Sequence, residues 1–324
     1  MNIKKLSCLF ALSLAALGAQ ASQRVCEYQL IPTQVYATGL LEQGLQLPLL
    51  VDSYLPTNCS DGPAGVVQPV LLIPGGGFNW VERDREKIVE IAAGLAQAGF
   101  AVFPIEHRIR DWNGFAPVSE TKTSTELKVY QRNLKKSPYP GDQHFQALIA
   151  MEDAFKAQAW VKSKAAEYNL DITKFGILGG SSGACTALGM EYSGNNLSEG
   201  VSDFQALIDM WGDFFPHTHM EAGESPILIL AGTVDPVIEY PLTTDIMQRA
   251  KAVGVDASRI TMPGVKHGLD DADIFNRLVV GTNLTIFQSM VQFLEGKLRP
   301  ATRQKWPPAG QTREMMAEEY PPAP

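Results

Sequence analysis

The feature that most constrains this chain is an alternation. From Pro69 onward, short continuous apolar runs take turns with segments of helical periodicity. A short apolar run bounded by turn residues reads as a strand buried on both faces. Strands separated by amphipathic helices pair in parallel, because the crossover lays its helix on the sheet. The runs are Pro69–Ile73, Phe100–Phe103, Phe175–Leu178, Ala206–Met210, Ile227–Leu230 and Arg259–Met262. The expected helices are Asp84–Gln97, Gln143–Tyr168, Ser182–Tyr192, Thr243–Val253 and Ile274–Leu298, the last with one break. The expected class is α/β, with a mostly parallel central sheet and helices on both faces. Before Pro69 the pattern changes. Gln34–Thr38 and Leu47–Tyr54 are alternating or β-branched and predict antiparallel strands at the sheet edge, where Pro48 is tolerated.

The two ends of the chain are set apart. Lys4 and Lys5, an apolar run from Leu6 to Leu17 and the small-residue site Ala19-Gln20-Ala21 predict a secretory signal peptide over 1–21, cleaved after Ala21. The expected location is periplasmic or secreted, where disulfides form. Of the four cysteines, Cys8 would leave with the signal. Cys26 and Cys59 both lie in the N-terminal region and are paired on that ground, and Cys185 is expected to be a lone buried thiol. Sequence does not prove this connectivity. Residues 22–299 are expected to form one domain carrying two insertions, 111–143 and 212–224, of a length usually tied to function. Residues 300–324 read as a Pro-rich tail, extended or disordered.

Charge excludes one class of partner. The chain has 27 Lys+Arg against 35 Asp+Glu, a formal net charge of −8, whereas sequence-independent nucleic-acid binding needs clustered cations to neutralise phosphates. After the N-terminus no stretch approaches the ~20 apolar residues of a membrane span.

The chemistry concentrates at strand ends. Gly179-x-Ser181-x-Gly183 sits directly between an apolar run and a helical segment, the context of a nucleophile elbow. The turn is so sharp that side chains two before and two after the serine would collide. It lifts the hydroxyl clear of the sheet at a helix N-terminus, where unpaired N–H groups favour developing negative charge. Gly180-x-Ser182-x-Ala184 fits a looser version of the same motif, so Ser182 stands as an alternative. Ser181 is preferred because glycines flank it on both sides.

Pro74-Gly75-Gly76-Gly77-Phe78 ends the first central run. Glycines there let the backbone approach a substrate and turn its N–H groups inward. The N–H groups of Gly76, Gly77 and Ser182 are the expected oxyanion-hole donors. An acid and a base follow in chain order at later strand ends: Asp235 after Ile227–Leu230, and His267 after Arg259–Met262. Ser, Asp, His in that order is the hydrolase order. His267 would take the proton of Ser181, and Asp235 would fix the imidazole tautomer. Asp270, Asp271 and Asp273 come after the histidine and are poor triad acids. Among the five histidines, His107 is expected to be structural or to line the pocket, and His144 to be solvated or in a cap contact. His217 and His219 near Asp213 lack HExxH spacing and a third clear ligand, so no metal is expected.

On these residues the chain resembles the α/β-hydrolases. More narrowly, it resembles the hormone-sensitive-lipase-like and carboxylesterase/acetyl-esterase branch, which includes small-ester and carbohydrate-ester esterases. Pro74–Phe78, Gly179–Gly183, Asp235 and His267 carry the likeness. The segment Met151–Asp171 and the run Gly232-Thr233-Val234-Asp235-Pro236-Val237 support it. It spans roughly residues 45–298. Two positions depart from the pattern. Pro74 stands where a histidine usually orders the oxyanion loop, and Ser182 stands where alanine often follows the nucleophile. The resemblance implies small inserted cap loops, a serine-dependent carboxylic-ester hydrolase without metal or organic cofactor, and a small-molecule or carbohydrate/polymer ester as substrate. Phe78, Trp80, Trp211 and Phe214 are expected to line its pocket, and modest insertions without a long amphipathic lid point to short acyl chains.

Two other classes compete. A serine peptidase shares the triad order but would normally carry a large gating domain, for which the chain has no room. A non-catalytic binding protein on the same scaffold would be marked by a lost triad member, and none is lost. The oligomeric state is left open.

Overall fold

The computed structural model describes residues 24–122, 141–197, 202–299 and 312–319, with the side chains of 141–144 and 195–197 outside the description. The expected signal peptide, most of the 111–143 insertion and most of the tail lie outside these residues.

Among the described residues, ten strands form one sheet: β1 (Cys26–Leu40), β2 (Gln46–Cys59), β3 (Gly62–Pro63), β4 (Pro69–Ile73), β5 (Ala101–Pro104), β6 (Phe175–Gly180), β7 (Phe204–Met210), β8 (Ile227–Gly232), β9 (Ala257–Met262) and β10 (Thr312–Met316). Their order is β1-β2-β5-β4-β6-β7-β8-β9-β10, with β3 pairing β2. The first three pair antiparallel, as does β2 with β5, and every pair from β5 to β10 is parallel. β1, not β2, is the edge. Pro48 is nevertheless accommodated, because β2 reaches β5 only at Tyr54, with a bridge from Val51 to Ile105 beside it. At Pro48 only the β1 side is paired. Cys26 and Cys59 form the expected disulfide where β1 begins and β2 ends.

Among the described residues, the helices over the sheet are α1 (Glu86–Gln97), α2 (Gly141–Ser163), α3 (Ala165–Tyr168), α4 (Ser182–Leu197), α5 (Tyr240–Val253), α6 (Leu269–Ala272) and α7 (Ile286–Leu298). The parallel strands alternate their side chains between two cores. Val70, Leu72, Leu178, Ile208, Leu228 and Ile260 pack with Ile88, Ile91 and Leu95 of α1 and Met290, Phe293 and Leu294 of α7. Leu71, Ile73, Ile177, Leu207, Ile227 and Ile229 face the other way, against Met151, Ala154 and Val161 of α2, Ala187 and Leu188 of α4, and Ile246 and Ala250 of α5. Each such buried Val, Leu, Ile, Phe or Met side chain contributes about 1.5–3 kcal/mol.

Three boundaries depart from expectation. The single helix expected over Gln143–Tyr168 breaks at Lys164, and α3 ends on Asn169 in the left-handed conformation at φ 54°. Ile274–Leu284 is not helical. Leu278 bridges Thr285 around a turn at Gly281, and the last helix starts afresh at a capping box between Thr285 and Gln288. In the expected tail, β10 docks in parallel on β9, and Glu314 accepts from the Arg259 guanidinium at 2.8 and 3.0 Å. Thr-Arg-Glu-Met-Met carries no strand periodicity of its own. Its conformation comes from the edge it meets.

Candidate active site

The loops at the carboxyl ends of β4, β6, β8 and β9 meet in one cleft of about 390 Å³. This is where an open parallel sheet gathers backbone N–H groups and helix N-termini.

The elbow is built by glycine. Ser181 sits between β6 and α4 at φ 52°, a conformation costly for any residue with a β-carbon. Its N–H donates to the Met210 carbonyl and its own carbonyl accepts from Cys185 N–H, both at 2.9 Å, so neighbouring elements hold the turn. A β-carbon on Gly179 would meet the Gly183 carbonyl oxygen at 2.3 Å. One on Gly183 would meet the Ile73 oxygen at 2.1 Å, and one on Gly75 would meet the Gly180 oxygen at 2.6 Å and Ser181 Cβ at 2.9 Å. The β4 loop and the elbow therefore interlock backbone to backbone.

The loops after β8 and β9 are tied just as closely. Thr233 N–H donates to Met262 O (3.1 Å), Val234 N–H to Val265 O (3.2 Å) and Gly264 N–H to Thr233 Oγ1 (2.9 Å). The tie brings together three predicted residues. His267 Nε2 lies 2.7 Å from Ser181 Oγ, and His267 Nδ1 lies 2.8 Å from Asp235 Oδ2. The other carboxylate oxygen of Asp235 accepts from the N–H groups of Val237 and Ile238 at 2.8 and 2.9 Å. Because the carboxylate accepts from Nδ1–H, Nε2 presents its lone pair to the serine hydroxyl. Ser182 makes no such contact. Its hydroxyl is buried with no hydrogen-bond partner among the described residues. Gly76 and Gly77, at φ 152° and 61°, line the cleft with Ser181, and Ser182 opens α4, where a helix leaves its N–H groups without intrahelical partners.

Two of the four expected pocket residues line the cleft and two do not. Trp80 and Trp211 are in its wall. Phe78 is buried against His107 instead, with ring centroids 6.1 Å apart. Phe214 is drawn into the core, 5.3 Å from the Tyr192 ring. At Phe78 a positive φ turns the ring inward, which spacing alone does not reveal. The sequence reading missed Ile88, Glu82, Arg85, Val237, Leu269 and Asp270, which complete the wall. Val237 and Leu269 each follow a predicted catalytic residue by two positions, a signal that could have found them. Arg85 joins Asp270 at 2.9 Å and lies over the Trp80 ring, a meeting of distant loops with no local signature.

The remaining candidates have other partners. His107 is fully buried; its Nδ1–H donates to the Arg108 carbonyl at 2.9 Å, and burial holds its pKa below the ordinary value. The side chain of His144 lies outside the description. His217 Nε2 meets Asp213 at 2.7 Å and His219 Nδ1 meets Ser193 at 3.1 Å. Among the described residues, no group of three His, Cys, Asp or Glu side chains could hold a metal. Cys185 is a free thiol, half-buried in α4, and burial pushes its pKa up to about 12, so it is not a thiolate at neutral pH.

No family model matches the chain, and no curated protein does. Solved structures do. A truncated carbohydrate esterase from gut microbiota superposes with a TM-score of 0.56 at 20% identity, over 86% of this chain and 98% of that one. Esterase 2 of Thermogutta terrifontis, phosphorylated by paraoxon, gives 0.52 at 17% identity over 85% and 95%. Its butyrate-bound form gives 0.54 at 16% identity over 85% and 96%. The chain has the α/β-hydrolase fold. Within this sheet β6 leads to the turn at Ser181, β8 and β9 lead to the loops that hold Asp235 and His267, and the antiparallel β1 and β2 close one edge. As a later strand added beyond β9, β10 extends the α/β-hydrolase sheet at its other edge.

Proposed function

We propose that this protein is a serine-dependent carboxylic-ester hydrolase acting outside the cytoplasm on esters of short acyl chains. The observation that carries the reading is the unbroken pair of hydrogen bonds from Ser181 Oγ through the His267 ring to Asp235 Oδ2.

Ser181 Oγ attacks the ester carbonyl carbon as His267 Nε2 takes its proton. The carbonyl oxygen becomes an oxyanion and accepts hydrogen bonds from the N–H groups of Gly76, Gly77 and Ser182. Collapse breaks the C–O bond to the alcohol, which leaves with the proton from His267. Water then attacks the acyl-serine, giving its proton to His267, and the released Ser181 recovers it as the acid departs. Asp235 holds the tautomer and stabilises the imidazolium.

A cleft of about 390 Å³ walled by Trp80, Trp211, Ile88 and Leu269 suits a small acyl group. Among the fold neighbours, one esterase is phosphorylated by paraoxon and also binds butyrate; a reactive Ser181 and a short acyl pocket are the matching reading here. The Cys26–Cys59 disulfide supports an oxidising compartment, and no helix among the described residues is long and apolar enough to cross a membrane. The test is a p-nitrophenyl ester series. Acetyl and butyryl esters are expected to turn over fastest. No hydrolysis of any member overturns the assignment, and faster turnover of the dodecanoyl ester overturns the chain-length claim.

A further inference from the structure

Pro74 stands where a histidine is expected to order the oxyanion loop, so something else must hold Gly76 and Gly77. Three consecutive residues, Gly76, Gly77 and Phe78, have positive φ, at 152°, 61° and 60°. Glycine adopts such values freely, but phenylalanine does not. Asn79 and Trp80 donate their N–H groups back to the Gly76 carbonyl at 3.1 and 3.4 Å, which closes the turn without fixing it to the body of the protein.

Phe78 supplies the fixing. Of residues 75–80 it alone is buried, at 6% exposure. Its ring packs on the imidazole of His107, which is itself buried just beyond the end of β5, and its carbonyl accepts from Arg110 N–H at 2.7 Å. A strained residue persists where its surroundings over-determine it, and such strain gathers at functional sites. Here the side chain and the carbonyl are both anchored in the segment after β5, one residue from the two glycines.

We propose that Phe78 is the positioning residue of the oxyanion loop, seated on His107 and Arg110 in place of the missing histidine. This rests on the assignment of Gly76 and Gly77 as oxyanion donors. Because those donors act on the transition state and not on the bound ester, loosening them lowers kcat and leaves KM in place.

The experiment exploits the positive φ. Phe78→Gly relieves the backbone strain but removes the peg, whereas Phe78→Leu keeps a buried apolar side chain. If position 78 mattered only for its backbone conformation, glycine would serve as well as phenylalanine or better. The proposal predicts that Phe78→Gly lowers kcat for p-nitrophenyl acetate at least about tenfold with KM within about twofold, since displacing aligned groups by ~1 Å can cost ~10²-fold. It predicts that Phe78→Leu recovers most of the loss. Wild-type kcat in Phe78→Gly, or a loss that falls in KM, overturns it. Should Phe78→Gly fail to fold, His107→Ala reads the same seat from the other side: the kcat loss with KM held supports the proposal, and wild-type kcat overturns it. Absence of hydrolysis by the wild-type enzyme is a different result, and defeats the esterase reading itself.

Discussion

Gly179 and Gly183 stand so close across the elbow that a β-carbon on Gly179 would lie 2.3 Å from the Gly183 carbonyl oxygen. The obstruction is backbone in each direction. A β-carbon on Gly183 would meet the carbonyl oxygens of Ile73 and Pro74 at 2.1 and 2.5 Å, where the glycine loop leaves β4. The Gly183→Ala variant is therefore expected to lose at least about 1–3 kcal/mol of stability from overpacking. It should lose activity as well, because any relief moves the elbow or the glycine loop after β4. Urea unfolding read beside kcat checks this, and wild-type values for both would show that the interlock is looser than described.

Asp235 is bonded on both oxygens, to His267 Nδ1 and to the N–H groups of Val237 and Ile238. Asp235→Asn keeps the shape but can present an amide N–H to the imidazole, favouring the wrong tautomer. The expected loss in kcat is on the order of 10⁴, with KM little changed. A fall of less than tenfold in steady-state kinetics would remove Asp235 from the triad.

The segment after β7 carries a pH signature. Burial is the largest cause raising the Glu224 carboxyl from 4.5 to about 7, and burial raises Glu191 beside it as well. The folded protein thus holds the Glu224 proton more tightly than the unfolded chain does. That contribution to stability is complete below about 4.5 and is lost as pH rises through about 7. Melting temperature is expected to fall between pH 5 and 8, and Glu224→Gln should flatten that fall. An unchanged slope in thermal melts of the variant would contradict it.

The meeting of Ser181, Asp235 and His267 was legible because its parts are local. Gly179-x-Ser181-x-Gly183 announces its turn by the glycines alone, and Asp235 and His267 each follow an apolar strand. The parallel sheet was legible for the same reason, since a strand buried on both faces is a continuous apolar run. What the sequence hid was set by tertiary contact. Phe78 reads as a pocket residue because it follows three glycines, yet a positive φ turns its ring inward onto His107. The pair Arg85–Asp270 joins residues 185 apart in the chain. β10 is a polar segment that becomes a strand only by meeting Arg259 and the open edge of β9.

The central claim is that Ser181, and not Ser182, is a nucleophile activated by His267. Labelling with a fluorophosphonate probe tests it most directly, because the probe phosphonylates an activated serine without requiring the natural ester. Wild-type protein is expected to label and Ser181→Ala to remain unlabelled, while Ser182→Ala keeps its label. Equal labelling of wild type and Ser181→Ala would contradict the account.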